Sequence, residues 1–247
     1  MLSDKIKMVV FDMAGTTVVD RGEIEDCFFE ACIKTGLEAT REQINAMMGW
    51  SKIVVFQTFW KEKLGADNPE LETRVQESYD LFRDLLEEHY RTTDQFPTEG
   101  AVETINWLRD NGVKVVLNTG FYRVVTDIIL NKLGWDKGLD ANYVSTGNSF
   151  IDMSIASDEV EKGRPYAFMI QKAMKQFGIT DPKMVVKVGD TPVDLGEGRQ
   201  ANCLFSLAVT NGSHTEAELA PLDNDGLLPT VGHLKGFLQE KLVLANA

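Results

Sequence analysis

Short apolar, β-branched runs alternate along the chain with longer stretches whose apolar residues recur at three- and four-residue spacing. The runs at 7–12 (KMVVFD), 113–120 (VKVVLNTG), 142–146 (NYVST), 184–190 (MVVKVGD) and 204–212 (LFSLAVTNG) predict buried parallel strands, because each is short, β-branched and bounded by turn residues. Between them VETINWLRDNG, RVVTDIILNKLG and PYAFMIQKAMKQFG predict helices ending at Gly112, Gly134 and Gly178, where glycine suits the left-handed C-terminal turn. Strands alternating with such helices predict an α/β fold built on a doubly wound parallel sheet.

The first strand does not lead directly to the second. Between them lie EDCFFEACIKTG, REQINAMMG, KIVVFQTFWKEKLG and RVQESYDLFRDLLEEHY, amphipathic stretches, the last carrying Val75, Tyr79, Phe82, Leu86 and Tyr90 on one face. The predicted organisation is an α/β core of residues 1–19 and 96–247 with an α-helical cap, residues 20–95, inserted after strand 1. Its hinges fall near TVVDRG and TTDQFPTEG, where turn residues gather.

A net charge of -13 opposes binding to nucleic acid and to anionic membrane surfaces. A small anionic substrate therefore needs local positive charge, from a metal ion or a few placed basic residues. Cys27, Cys32 and Cys203 lack the spacing of a zinc site or a redox pair and read as small buried hydrophobes in a reducing compartment. The opening MLSDKIKMVVFD does not have the pattern of a signal peptide, and no stretch reaches transmembrane length, so the expected location is the cytoplasm.

Open α/β sheets bind ligands beyond the carboxyl ends of their strands, so the polar residues at those ends are the candidates for chemistry. They are Asp12, Thr119 and Asp190, with Arg164 in EKGRPYAF ahead of the last. Two carboxylates from different strands, with a hydroxyl and a guanidinium, suit a site that holds Mg²⁺ and a phosphoryl group together. In that arrangement Asp12 attacks phosphorus, Asp12 and Asp190 ligate the metal, and Thr119, the Gly120 amide and Arg164 bind phosphoryl oxygens. Asp194 and Thr16 support this shell. Taken singly, Asp12 and Thr119 read as caps or turn residues and Arg164 as a surface charge; their conjunction at strand ends reverses that reading. GEGRQA, beginning at Gly196, starts six residues past its strand end and reads as helix packing, not as a dinucleotide fingerprint.

DMAGT, NTG, KGRPYAF and VGDTPVD, in this order, resemble the four motifs of the haloacid dehalogenase superfamily, and the resemblance covers nearly the whole chain. Position 14, two residues beyond Asp12 and on its face, commonly carries an aspartate general acid in that superfamily's phosphatases. Here it is Ala14, which cannot donate a proton but whose carbonyl can ligate Mg²⁺. DxAGT with arginine in the third motif resembles the phosphonatase family, in which a cap lysine forms a Schiff base that lets a carbon–phosphorus bond break to an enamine. MGWSK, residues 48–52, resembles that family's cap segment, which implies Lys52 as the Schiff-base amine with Met48 and Gly49 beside the substrate. A helix beginning at Ser51, together with Met47, Met48, Trp50 and Val54, would favour the neutral amine. Without the family, Lys52 reads as a snorkelling surface lysine.

The family's cap histidine corresponds to Val55, and the tyrosine after its Thr-Gly pair to Phe121. No cysteine stands at the start of the cap, where the family has one. The resemblance implies hydrolysis of phosphonoacetaldehyde or a related 2-oxoalkylphosphonate, and a homodimer formed through the cap. The alternatives are a phosphatase for an activated ester or acyl phosphate, and a binding protein that has lost catalysis.

Overall fold

A computed structural model describes residues 2–244. Among them, six strands form one parallel sheet: β1 (Met8–Phe11), β2 (Lys114–Asn118), β3 (Met153–Ile155), β4 (Val185–Gly189), β5 (Phe205–Val209) and β6 (Gly226–Leu228), in the order β3-β2-β1-β4-β5-β6. Every residue of β1 and β4 is buried. Helices α5 (Ala101–Asp110), α6 (Arg123–Leu133), α7 (Phe168–Gln176), α8 (Pro192–Gln200), α9 (Glu216–Leu219) and α10 (Leu234–Leu244) complete the α/β core. Coverage of both sheet faces explains why the central strands read as continuous apolar runs.

Two strands differ from the sequence reading. Residues 142–146 form no strand: Tyr143 has φ 58, and the Asp140 carboxylate accepts the amides of Asn142 and Val144 at 2.8 and 3.0 Å, holding a turn. Val144 and Ser145 make only isolated bridges, to Met153 and Leu139. The edge strand is Met153–Ile155, fully buried and registered on Val116–Asn118. Neither it nor β6 shows a pattern in the sequence, because each has only three residues.

The helical cap comprises α1 (Glu23–Thr35), α2 (Arg41–Ala46), α3 (Lys52–Leu64) and α4 (Leu71–Thr92). Its core is aromatic: Phe28 stacks on Phe56 at 4.0 Å between centroids, and Phe82 tilts against both. Val75, Phe82, Leu86 and Tyr90 are buried along α4, and Tyr79 is half-buried. The two linkers run side by side. The Val19 amide donates to the Phe96 carbonyl at 2.9 Å, the Thr98 amide to the Thr17 carbonyl at 3.0 Å, and Val18 bridges Pro97. Among the described residues, no helix is long and apolar enough to cross a membrane.

Gly198 of α8 faces β4 and β5; a side chain there would meet Ser206 and come within 3.0 Å of the Lys187 Cβ. Gly198 of GEGRQA thus lets this helix pack against the sheet, while Gly196 faces Pro165.

Candidate active site

The strand order reverses between β1 and β4, since the chain leaves β1 toward β2 and later crosses back to the other side. Loops diverge at that point and leave a crevice beyond the strand ends. Asp12 follows β1 on one side of the crevice, and Asp190 follows β4 on the other.

After Asp12 the chain folds back tightly. The amides of Thr16, Thr17 and Val18 converge on the Met13 carbonyl, and the Thr17 hydroxyl donates to the Asp12 carbonyl at 2.8 Å. Gly15 takes φ 80, and any side chain on it would collide with the Asp190 carboxylate. The glycine of DMAGT is needed for both reasons. Asp190 in turn accepts from the Thr16 hydroxyl at 3.3 Å and from the Ser213 amide and hydroxyl at 2.7 Å each.

Beneath these two carboxylates lies a buried ionic network. Arg164 donates through Nη2 to Asp12 Oδ1 at 2.5 Å and through Nη1 to Asp194 Oδ1. Lys187 lies 2.9 Å from Asp194 and 3.2 Å from Glu197, and its Nζ donates to Asn118 Oδ1 at 2.6 Å. The Asn118 amide donates to both oxygens of Glu197 at 2.8 Å. Asp194 also accepts from the Thr191 amide and hydroxyl. The Arg164 Nε remains a buried donor without a partner.

Burial raises the Asp12 carboxyl despite the nearby Arg164 charge. Burial, followed by the charges of Asp12 and Asp194, lifts Asp190 well above the usual carboxylate range. Burial opposes ionisation of Asp194 too, but Arg164, Lys187 and Thr191 outweigh it and hold that group at about 2. Asp194 is therefore the fixed anion that orients Arg164, while burial disfavours the ionised forms of Asp12 and Asp190.

The cap closes the pocket from above with Met48, Gly49, Trp50 and Lys52. Gly49 takes φ 82, and a Cβ there would sit 2.5 Å from Thr191 Oγ1; one on Gly120 would sit 2.7 Å from the Gly49 carbonyl oxygen. Two glycines thus form the seam between cap and core. Lys52 opens α3, with Ser51 in the cap position but making no side-chain cap bond. Its Nζ donates to the Trp50 carbonyl at 3.4 Å and lies 3.8 Å from Met48 Sδ. Burial, aided by the Arg164 charge, pulls the ammonium down to about 8. Val54 is exposed, unlike the sequence reading, while Val55, about 100° further round the helix, is buried.

Of the residues singled out in the sequence, Asp12, Ala14, Met48, Gly49, Lys52, Thr119, Gly120, Arg164 and Asp190 line this one pocket. Thr16 and Asp194 lie behind it, bonded to Asp190 and Arg164. Sequence reasoning missed Lys187, Ser213 and Asp20. Lys187 was hidden inside an apolar strand, although a lysine in the middle of a fully buried run is itself a signal. Ser213 reaches Asp190 only through the path of the chain after β5. Asp20 stands where the chain leaves the core, and it also lines the pocket.

Carboxylate oxygens of Asp12, Asp190 and Asp194 lie within 4.8 Å of one another, all three buried. With Glu197 they make four buried carboxylates against Arg164 and Lys187 below and Lys52 across the pocket. These clustered buried oxygen ligands fit a hard divalent cation, whose charge would favour their ionised forms.

The profile of the haloacid dehalogenase-like hydrolases matches residues 6–202. A bifunctional phosphonoacetaldehyde hydrolase/aminoethylphosphonate transaminase of Clostridioides difficile is 33% identical over 91% of this chain, which spans only 35% of that relative's length. A phosphonoacetaldehyde hydrolase of Bacillus cytotoxicus is 31% identical, over 89% of this chain and 83% of the relative. Among solved structures, a phosphonoacetaldehyde hydrolase-like protein from Oleispira antarctica superposes with a TM-score of 0.74 at 19% identity, covering 96% of this chain and 92% of that one. A hydrolase from Pseudomonas syringae gives 0.74 at 18% identity, over 95% and 98%. These two likenesses concern the fold.

Proposed function

The chain belongs to the haloacid dehalogenase-like hydrolase family, among its phosphonatase-like members, and from that premise we propose that it hydrolyses the carbon–phosphorus bond of phosphonoacetaldehyde or a close 2-oxoalkylphosphonate. The observation that carries this reading is a buried lysine amine facing the Asp12 carboxylate across one pocket, with Ala14 where an acid would protonate a leaving oxygen. At pH 7 an amine of pKa about 8 is roughly one-tenth neutral, against about one part in 3,000 at the ordinary value of 10.5. The Lys52 environment thus enlarges the neutral fraction of the amine, the form that attacks a carbonyl.

Lys52 adds to the substrate carbonyl and becomes a protonated imine. Asp12 attacks phosphorus from the opposite wall as the carbon–phosphorus electron pair moves into the enamine, so no acid is needed at position 14. Arg164, held by Asp12 and Asp194, has one unpaired buried donor and supports phosphoryl binding together with the Thr119 hydroxyl and the Gly120 amide. Water then releases phosphate from Asp12. Mg²⁺, held by Asp12, Asp190 and the Ala14 carbonyl, would supply neutralisation of the charge between carboxylate and phosphoryl oxygens.

Borohydride tests the reading. It should inactivate the enzyme only in the presence of the aldehyde phosphonate and leave a secondary amine on Lys52, detected by peptide mass. Lys52→Arg should lose both labelling and turnover, since a guanidinium offers no neutral amine. Normal turnover of 2-oxophosphonates by that variant would overturn the imine on Lys52, and a wild type that hydrolyses activated esters or acyl phosphates but not 2-oxophosphonates would favour the phosphatase instead.

A further inference from the structure

Imine chemistry moves protons at every step. The carbinolamine formed on Lys52 loses its hydroxyl as water, which needs a proton donor, and the product imine is hydrolysed by water, which needs an acceptor. Ala14 and Phe121 line the pocket but offer no exchangeable proton, and Val55 is fully buried and apolar. The titratable side chains lining the pocket are Asp12, Asp20, Lys52, Arg164 and Asp190. Asp12 is assigned to phosphorus, Asp190 to the cation and Lys52 to the carbonyl, while Arg164 stays charged. Thr119, Thr191 and Ser213 contribute hydroxyls that do not ionise near neutral pH.

Resting on the imine reading above, we propose that Asp20 is the acid and base of Lys52 chemistry in this enzyme. In the first step its carboxyl gives a proton to the carbinolamine oxygen; the C–O bond breaks, water departs and the nitrogen lone pair forms the C=N⁺ bond, leaving Asp20 as carboxylate. After phosphoryl transfer the enamine carbon takes a proton from solvent as the nitrogen lone pair re-forms the C=N⁺ bond, and the Asp20 carboxylate then takes a proton from the water that attacks the imine carbon. Asp20 is thereby restored to its acid form.

The surroundings of Asp20 suit both roles. Its Oδ1 accepts the Gly22 amide at 2.9 Å, which anchors the side chain where the chain leaves the core for α1. Burial, with the Glu23 charge beside it, pushes Asp20 up to about 7, and the Lys52 charge pulls the other way. Glu23 on α1, Lys52 on α3 and Tyr90 on α4 are charged or titratable groups that interact with it. A carboxyl near 7 is poised to give and take a proton at neutral pH.

The test is the rate of borohydride trapping by phosphonoacetaldehyde as a function of pH, in the wild type, Asp20→Asn and Asp20→Glu. The wild type should label Lys52 with a bell-shaped profile, rising as Lys52 loses its proton and falling as Asp20 loses its own. Asp20→Asn should label at least about 100-fold more slowly and lack the falling alkaline limb. Asp20→Glu should recover part of the rate together with that limb, and it also serves if the asparagine variant does not fold. An Asp20→Asn enzyme that labels at the wild-type rate, or keeps the alkaline limb, overturns the role of Asp20 while the Lys52 reading stands. A wild type that takes up no label removes both.

Discussion

Replacing Lys187 by methionine keeps much of the length and the apolar stem of the side chain but deletes a charge buried among three partners. Lys187 is fully buried, 2.9 Å from Asp194 and 3.2 Å from Glu197, with its third contact at Asn118. Removing one member of a buried ion pair costs about 3–5 kcal/mol, because the remaining charge is left without compensation. Two features place this case near the lower end of that range. Asp194 keeps Arg164, and Glu197 keeps two hydrogen bonds from Asn118 while burial already raises its carboxyl toward protonation. The expected loss is about 3 kcal/mol, or roughly 6–12 °C in melting temperature for a chain of this size. Urea unfolding followed by circular dichroism measures it. Adding Glu197→Gln removes the orphaned charge and should return about 1–2 kcal/mol. The pH dependence has a definite sign. Burial already raises the Glu197 carboxyl and the Lys187 charge holds it down, so the variant's carboxyl rises further, and the deficit of Lys187→Met grows as pH climbs from the wild-type raised value to the variant's higher one. A loss below about 1 kcal/mol, or a double variant no more stable than the single one, would falsify the view that Lys187 compensates these carboxylates.

Chelation followed by dialysis should abolish turnover, with Mg²⁺ restoring it, and Asp190→Asn should weaken Mg²⁺ binding in calorimetry about tenfold or more; full activity after chelation would count against the metal assignment. Ala14→Asp should not raise turnover of a 2-oxophosphonate, because an enamine leaves without a protonated oxygen and the added carboxylate stands beside the phosphoryl group; a large gain in steady-state rate would refute the role given to Ala14. Gly49→Ala forces a side chain against Thr191 at a positive φ, a strain of about 1–3 kcal/mol that should prop the cap open. KM for the phosphonate should rise about tenfold with Mg²⁺ affinity kept, and an unchanged KM would mean that the seam between cap and core does not shape the pocket.

Much of this protein was legible in its sequence because its elements follow strong local patterns. The central strands are buried on both faces, so they appear as unbroken apolar runs, and the residue ending each one is drawn to the crevice by the topology of the sheet. That is why Asp12, Thr119 and Asp190, more than 175 residues apart at their extremes, fall on one edge by their sequence positions alone. The aromatic face of α4 likewise announced a helix packed against its neighbours. Three-residue strands such as β3 and β6 carry too little pattern to announce themselves, and in 142–146 the turn held by Asp140 overrode the strand propensity of Val144 and Thr146. Tertiary structure alone decided the rest, because charge compensation and pocket walls depend on which chain segments meet. Lys187 looked like an intruder in an apolar run until Asp194, Glu197 and Asn118 surrounded it. Asp20 looked like a linker residue until closure of the cap set it on the wall of the pocket that holds Lys52, and it took burial in that closed pocket to turn an ordinary surface lysine into an amine of pKa about 8.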